Sequence, residues 1–304
     1  MYAPAAYPDE SYLEMGMRAL ERWRAIEVES GEQLLWPTGA LTVGDFAERE
    51  LPALREAGVE AQPLSVAVVM KRFGVRISDE WPLLYQPDAG VIAADRALAA
   101  LLRLAREAGV ELHDDEPVRS IEEGDPWVEV VTTRRRFRCA AAIVAAGPWS
   151  GELLARAGID LPLSVSCQSI SYFALADPSV KPIAVMEFDG DEPYALWDPE
   201  RGLKAALHGR GPTVNQADSM LDTDPSAVER LTDWVAERYP RVAGHRTAVE
   251  PCFYTNAPGE RFILERRGRI VLAAACNGQG FQFAPETGER LAELALEPAK
   301  VATR

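Results

Sequence analysis

Apolar residues recur at helical spacing over Ser11–Glu29, where Leu13, Met17, Leu20 and Arg24 share a face with Trp23 and Ile26 beside it. This predicts an amphipathic helix, closed by Gly31. Gly39–Val43 reads as a short strand. Asp45 then caps a helix running to about Ala57 and stopped by Gly58, and Ser65 caps a short helix through Arg72. Leu83–Ile92 reads as a strand and turn. Asp95 caps a helix whose Leu98, Leu101, Leu102 and Ala105 form one apolar stripe, stopped by Gly109. Val110–Leu112 reads as a short strand, and Val128–Thr132 with Arg136–Ala140 as a hairpin. Ala141–Ala146 is all apolar and reads as a buried strand; a Gly147-Pro-Trp-Ser turn leads from it into a helix over Glu152–Arg156.

From Leu161 to about Val249 the pattern changes. Ser164–Leu175, Ala184–Phe188, Tyr194–Trp197 and Leu203–His208 are strand-like pieces separated by Pro, Gly and Asp. One helix, Pro225–Arg238, interrupts them, with Val228, Leu231 and Val235 on one side. The closing stretch has a buried strand over Ile270–Ala275, a glycine turn over Asn277–Phe281 and a helix over Pro285–Leu296 with Pro near its start. No internal repeat or low-complexity tract interrupts this order. The fold class expected is α/β plus α+β, with an open sheet and an antiparallel-sheet domain.

The chain has 304 residues, long enough for two cores, and 47% of them are hydrophobic. Its formal net charge of −15 argues against nucleic acid and anionic lipid as partners. No apolar run approaches a membrane span, and Met1–Tyr12 carry no export signal. The four cysteines, Cys139, Cys167, Cys252 and Cys276, have no CxxC spacing, and the three histidines form no HExxH. No metal site is expected, and a cytoplasmic setting with free thiols is.

Four motifs remain as candidate chemistry. Ile143–Trp149 is a strand ending in a glycine turn, which admits a ligand close to the backbone or simply packs. Ala275–Gln282 places two glycines before a helix, where free N–H groups and the dipole favour an anion. Glu250–Thr255 sets Cys252 between Pro and two aromatics, the surroundings of an inert buried thiol or of a functional one. Lys204 and His208 are four apart, so on a strand both point to one face. The basic run Arg134–Arg138 reads as a solvated hairpin.

Taken in order, these pieces resemble the monomeric sarcosine oxidase and N-methyltryptophan oxidase group of FAD-dependent amine oxidases. Thr38–Leu41, Gln86–Val91, Val144–Trp149, Lys204 with His208, Cys252–Thr255 and Asn277–Phe281 carry the likeness, which runs from about Tyr7 to Leu296. The resemblance implies an FAD cofactor attached through a thioether at Cys252. Lys204 would promote oxygen reduction, and His208 and Tyr254 would fall at pocket positions as catalytic residues. Val118, Gly147 and Trp149 would lie in the part that holds FAD, with Asn277, Gly278 and Gly280 in a loop flanking the flavin. Gln282 stands at a substrate position where that family carries a lysine, which suits a neutral polar group better than a carboxylate.

The family begins with a strand, a GxGxxG turn and a helix, and no GxGxxG occurs in this sequence. The expectation is an incomplete FAD-binding open sheet, its first βαβ unit missing, with an exposed sheet edge at which another chain can pair. Residues 1–30, 83–160 and 250–304 are assigned to the FAD-binding domain, and 31–82 and 161–249 to the substrate domain. The function implied is oxidation of a C–N bond of a small secondary or N-methyl amine, with oxygen reduced to hydrogen peroxide. The alternative is a flavin-free relative or truncated fragment that binds a small ligand or a partner chain.

Overall fold

A computed structural model describes residues 1–5, 9–78, 81–188, 190–209, 211–215, 223–240 and 243–297. In chain order its elements are α1 (Ser11–Ser30), β1 (Leu35–Trp36), β2 (Ala40–Val43), α2 (Asp45–Glu56), β3 (Gln62–Pro63), α3 (Val66–Phe73), β4 (Leu83–Gln86), β5 (Val91–Ile92) and α4 (Ala94–Glu107). There follow β6 (Val118–Glu123), β7 (Val128–Thr132), β8 (Arg136–Cys139), β9 (Ala142–Val144), α5 (Ser150–Arg156), β10 (Ser164–Leu175), β11 (Ala184–Glu187), β12 (Pro193–Asp198) and β13 (Gly202–Leu207). The chain closes with α6 (Pro225–Arg238), β14 (Ala243–Asn256), β15 (Ile263–Arg267), β16 (Ile270–Ala274) and α7 (Gly280–Leu296).

The chain divides into two units. The first comprises Met1–Leu101, Cys167–Pro212 and Met220–Cys252, and the second Leu102–Ser166, Thr213–Ser219 and Phe253–Arg304. The first unit is built on an eight-stranded sheet in the order β14-β10-β13-β12-β11-β2-β4-β3. It is mixed rather than antiparallel, because β11 runs parallel to β2, with Ala184 opposite Ala40. One of its faces makes the main core. Leu203, Ala205 and Leu207 of β13 and Val185 of β11 meet Val69 of α3 and Leu231 and Val235 of α6 there. Each large side chain so buried contributes about 1.5–3 kcal/mol. Arg238 and Glu187 form an ion pair at 2.6 Å within this unit, with side chains only 12% and 5% exposed.

The second unit holds two three-stranded sheets, β6-β7-β8 and β15-β16-β9. Strands β16 and β9 run parallel, and β15 is antiparallel to β16. Ile121, Val128, Val144, Leu154, Ile270 and Leu272 close its core.

The helix boundaries follow the local chemistry. Gly31 takes φ +69° and ends α1, and the Ser65 hydroxyl accepts the Val68 N–H at the start of α3. Several expectations are corrected. Val110–Leu112 is not a strand: Val110 is 52% exposed and is followed by Glu111, His113, Asp114 and Asp115. On α4 the buried residues are Ala97 and Ala100, while Leu98 and Leu102 face solvent. Ile143, in the middle of β9, is 46% exposed, so the all-apolar run is buried on alternate positions only. Helix α7 begins at Gly280, five residues before Pro285, and Asp45 and Asp95 sit inside first turns rather than at caps. Strands β6, β14 and β15 carried no clear sequence signal.

Candidate active site

In the first unit, β13 brings Lys204 opposite Tyr172 of β10 and Leu196 of β12. Alternation along β13 puts Lys204 and Ala206 on the face opposite the main core. Cys252 of β14 packs on that same face, beside Ile170, Tyr172 and Ala206. Its thiol is half-buried. On β10, burial pushes the Cys167 thiol up, while a hydrogen bond with the Cys252 backbone pulls it the other way. His208 follows β13 directly and is buried, its backbone N–H donating to the Glu192 carbonyl at 2.9 Å.

Three residues frame this face. The Arg201 guanidinium lies 3.4 Å from the centre of the Tyr172 ring and forms two bonds, at 2.9 and 2.6 Å, with the Glu250 carboxylate. A planar guanidinium can stack and pair at once, which a lysine cannot do. Burial raises the Tyr172 phenol to about 12, with Arg201 opposing that shift and the Glu250 carboxylate adding to it. The bonds from Arg201 hold the Glu250 carboxyl below its ordinary range, and the charge of Lys204 adds to this. Glu250 precedes Cys252 by two on β14, which puts both on one face, a relation that the sequence did not display because it marks no strand there.

In the second unit, Tyr254 is buried with its ring against Gly278. A Cβ on Gly278 would sit 2.1 Å from Tyr254 Cε2, and one on Gly280 would sit 2.6 Å from Cys276 Cβ. The two glycines therefore let the loop before α7 fold onto itself. Asn277 is held at φ +48° by two bonds: its N–H donates to the Thr255 carbonyl, and its Oδ1 accepts the Ala257 N–H, each at 3.0 Å. Its Nδ2 is buried and has no hydrogen-bond partner among the described residues. Gln282 is half-buried in the first turn of α7.

The same unit carries Val118, Gly147 and Trp149. Gly147 takes φ +52° and turns the chain after β9, which presents the Trp149 indole 55% exposed, with Phe253 edge-on at 6.5 Å. A cleft of about 550 Å³ lies between β6 and α5 and is lined by Val118, Ala146, Trp149 and Leu153. Arg119 and Arg156 also line it, and neither was singled out from sequence. Among the described residues, no group of three or more His, Cys, Asp or Glu side chains could hold a metal ion. No helix among them is long and apolar enough to cross a membrane.

The family model for FAD dependent oxidoreductases (DAO) matches residues 1–294, and the chain belongs to this family. Among curated relatives, human peroxisomal sarcosine oxidase is 30% identical over 311 residues, which span 96% of this chain and 80% of the relative. N-methyl-L-tryptophan oxidase of Salmonella arizonae is 26% identical, spanning 95% of this chain and 80% of its own. The fold also matches L-proline dehydrogenase from P. horikoshii with a TM-score of 0.85, at 17% identity over 98% of this chain and 82% of that one. The resemblance read from the sequence is thus to the correct group.

Proposed function

We propose that this chain is a sarcosine-oxidase-like flavoprotein that oxidises a C–N bond of a secondary or N-methyl amine, with oxygen reduced to hydrogen peroxide. The observation that carries it is the shared sheet face bearing Lys204 and Cys252, in a chain 30% identical to a sarcosine oxidase across nearly its whole length. The flavin-free alternative is not favoured, because the family is FAD-dependent.

The residues present fit FAD. The buried Asn277 Nδ2, without a partner among the described residues, is a donor that needs an acceptor, in a loop that Gly278 and Gly280 let fold tightly. FAD, when bound, accepts two electrons from the amine. The amine loses two electrons and two protons to become an imine, water then splits the imine, and oxygen takes up two electrons and two protons as peroxide. Cys252 is proposed as the covalent anchor. Lys204 supplies positive charge where reduced oxygen develops negative charge. His208 and Tyr254 are proposed as catalytic residues, and Gln282 as a substrate residue with a neutral amide. Val118, Gly147 and Trp149 hold the cofactor with Asn277, Gly278 and Gly280. The assignment of 1–30, 83–160 and 250–304 to cofactor and of 31–82 and 161–249 to substrate belongs to the same proposal. So does a cytoplasmic setting, which suits four free thiols.

A further part of the proposal is that β9 takes another parallel strand on its open side, completing the FAD-binding sheet, from a βαβ unit or from another chain. The support is its apolar sequence, typical of parallel strands with neighbours on both sides, and the exposure of Ile143.

The test is titration of the purified protein with FAD, followed by acid precipitation and peptide mass analysis. The expected result is a yellow pellet and a flavin-sized mass increase on the Cys252 peptide. Peroxide should form with sarcosine or another N-methyl amine. A Lys204→Met variant should keep anaerobic reduction by the amine and slow reoxidation by oxygen. A protein that takes up no FAD overturns the reading, and a colourless pellet overturns the covalent link alone.

A further inference from the structure

Lys204 and Glu250 carry opposite charges on one face of the first unit's sheet, and they do not pair. The Lys204 ammonium is half-buried and makes no hydrogen bond or ion pair among the described residues. Both oxygens of Glu250 go instead to Arg201, at 2.9 and 2.6 Å. Arg201 is itself fixed at two points. Its backbone N–H donates to Asp198 Oδ1 at 2.9 Å, in the turn between β12 and β13. Its guanidinium rests on the ring of Tyr172, which the register of β10 and β13 sets directly across from Lys204. A planar fork that engages both carboxylate oxygens outcompetes the point charge of an ammonium for the same group. Lys204 is nonetheless within electrostatic reach, since its charge helps to hold the Glu250 carboxyl below its ordinary range.

We infer that Arg201 is a positioning residue for Lys204: by taking both oxygens of Glu250 it keeps that carboxylate from pairing with Lys204 and leaves the ammonium's charge for oxygen. This deepens the flavin reading above and rests on it. Peroxide formation adds two electrons and two protons to oxygen, and negative charge builds up before the protons arrive. An ammonium already neutralised by a carboxylate stabilises that charge poorly. Glu250 is then a latent inhibitor of the oxygen step, and Arg201 is what restrains it.

The experiment uses the full chain as parent, Arg201→Gln, and the double variant Arg201→Gln with Glu250→Gln. Both side chains are partly exposed, so the fold should survive, and circular dichroism checks this. The first readout needs no flavin: trace acetylation across a pH series, with mass analysis of the Lys204 peptide. Arg201→Gln should raise the pH at which Lys204 becomes reactive by about one unit, as a newly paired carboxylate does, and the double variant should return it toward the parent. The second readout uses the FAD-loaded chain. Arg201→Gln should slow reoxidation by oxygen about tenfold, less than outright removal of a charge-stabilising donor costs. It should slow anaerobic reduction by the amine far less, and the double variant should recover the oxygen step. Identical Lys204 titration in all three proteins overturns the inference and leaves the flavin reading standing. So does a double variant as slow with oxygen as the single one, or an equal slowing of reduction and reoxidation, which would mark Arg201 as structural support alone. A chain that takes up no FAD overturns the flavin reading and this inference with it.

Discussion

The ring of Tyr254 occupies the space that a side chain on residue 278 would need: a Cβ there would lie 2.1 Å from Cε2 and 2.3 Å from Cζ. Residue 278 also sits at φ +78°, a region that L side chains avoid. Gly278→Ala therefore meets a clash and backbone strain together. We expect a loss of about 2 kcal/mol or more in urea unfolding. The double variant with Tyr254→Ala should cost less than the sum of the single variants, since it empties the contested space. Strict additivity would mean that the two residues do not compete.

This pair also marks how much of the site was legible. The order of motifs placed Tyr254, Asn277 and Gly278 in one functional reading, and the structure joins them in one unit. Lys204 and Cys252 share a sheet face because β13 and β14 both alternate, a property visible at Lys204 but hidden at Cys252, whose strand was not recognised. Glu250-Pro-Cys interrupts the β-branched pattern, and the 14-residue strand around it is held by its neighbour in the sheet rather than by local propensity. The bulge at Arg119, between the Val118–Thr132 and Ser120–Val131 pairs, was illegible for a related reason. A register shift is a relation between two strands, and one strand's sequence does not display it.

The Arg201 group gives a pH signature at each end of the scale. Glu250 has its carboxyl lowered in the folded state, so its contribution is present above the ordinary value of 4.5 and is lost as pH falls through the lowered one. Glu250→Gln should therefore be less stable than the parent near neutrality, and the gap should close in acid. With the carboxylate about half exposed, added salt should narrow the gap too. Tyr172 behaves in the opposite sense: raised from 10.0 to about 12, its contribution is complete below pH 10 and lost as pH rises through 12. Ultraviolet titration should find Tyr172 ionising near 12 in the parent, picked out by difference against Tyr172→Phe from Tyr2, which burial raises to about 12 as well. Removing Glu250 should lower that value and removing Arg201 should raise it.

The buried pair Arg238–Glu187 tests a different balance. Both side chains are nearly out of water, and the second carboxylate on Arg238, from Glu237, is 61% exposed. Glu187→Ala leaves a buried guanidinium with only that solvent-screened partner. We expect a loss of about 3–5 kcal/mol, against a much smaller loss for Glu237→Ala. Chemical unfolding of the two variants decides the point, and equal losses would show that Glu237 suffices.

Helix α4 separates hydrophobic character from burial. Leu98, Leu101, Leu102 and Ala105 give the obvious apolar stripe, yet Leu98 is 50% and Leu102 38% exposed, while Ala97 and Ala100 are fully covered. Positions 97, 100, 101 and 104 follow the i, i+3, i+4, i+7 spacing of a single face, and the first two are small. A helix that packs through alanines approaches its neighbours closely and leaves no room for larger groups. Ala97→Leu should then cost about 1–3 kcal/mol through overpacking. Leu98→Gln, which by hydrophobicity alone looks the more damaging change, should stay within about 0.5 kcal/mol. Unfolding midpoints of the two variants should fall in that order, and a larger loss at Leu98 would mean that the leucine stripe is covered in solution.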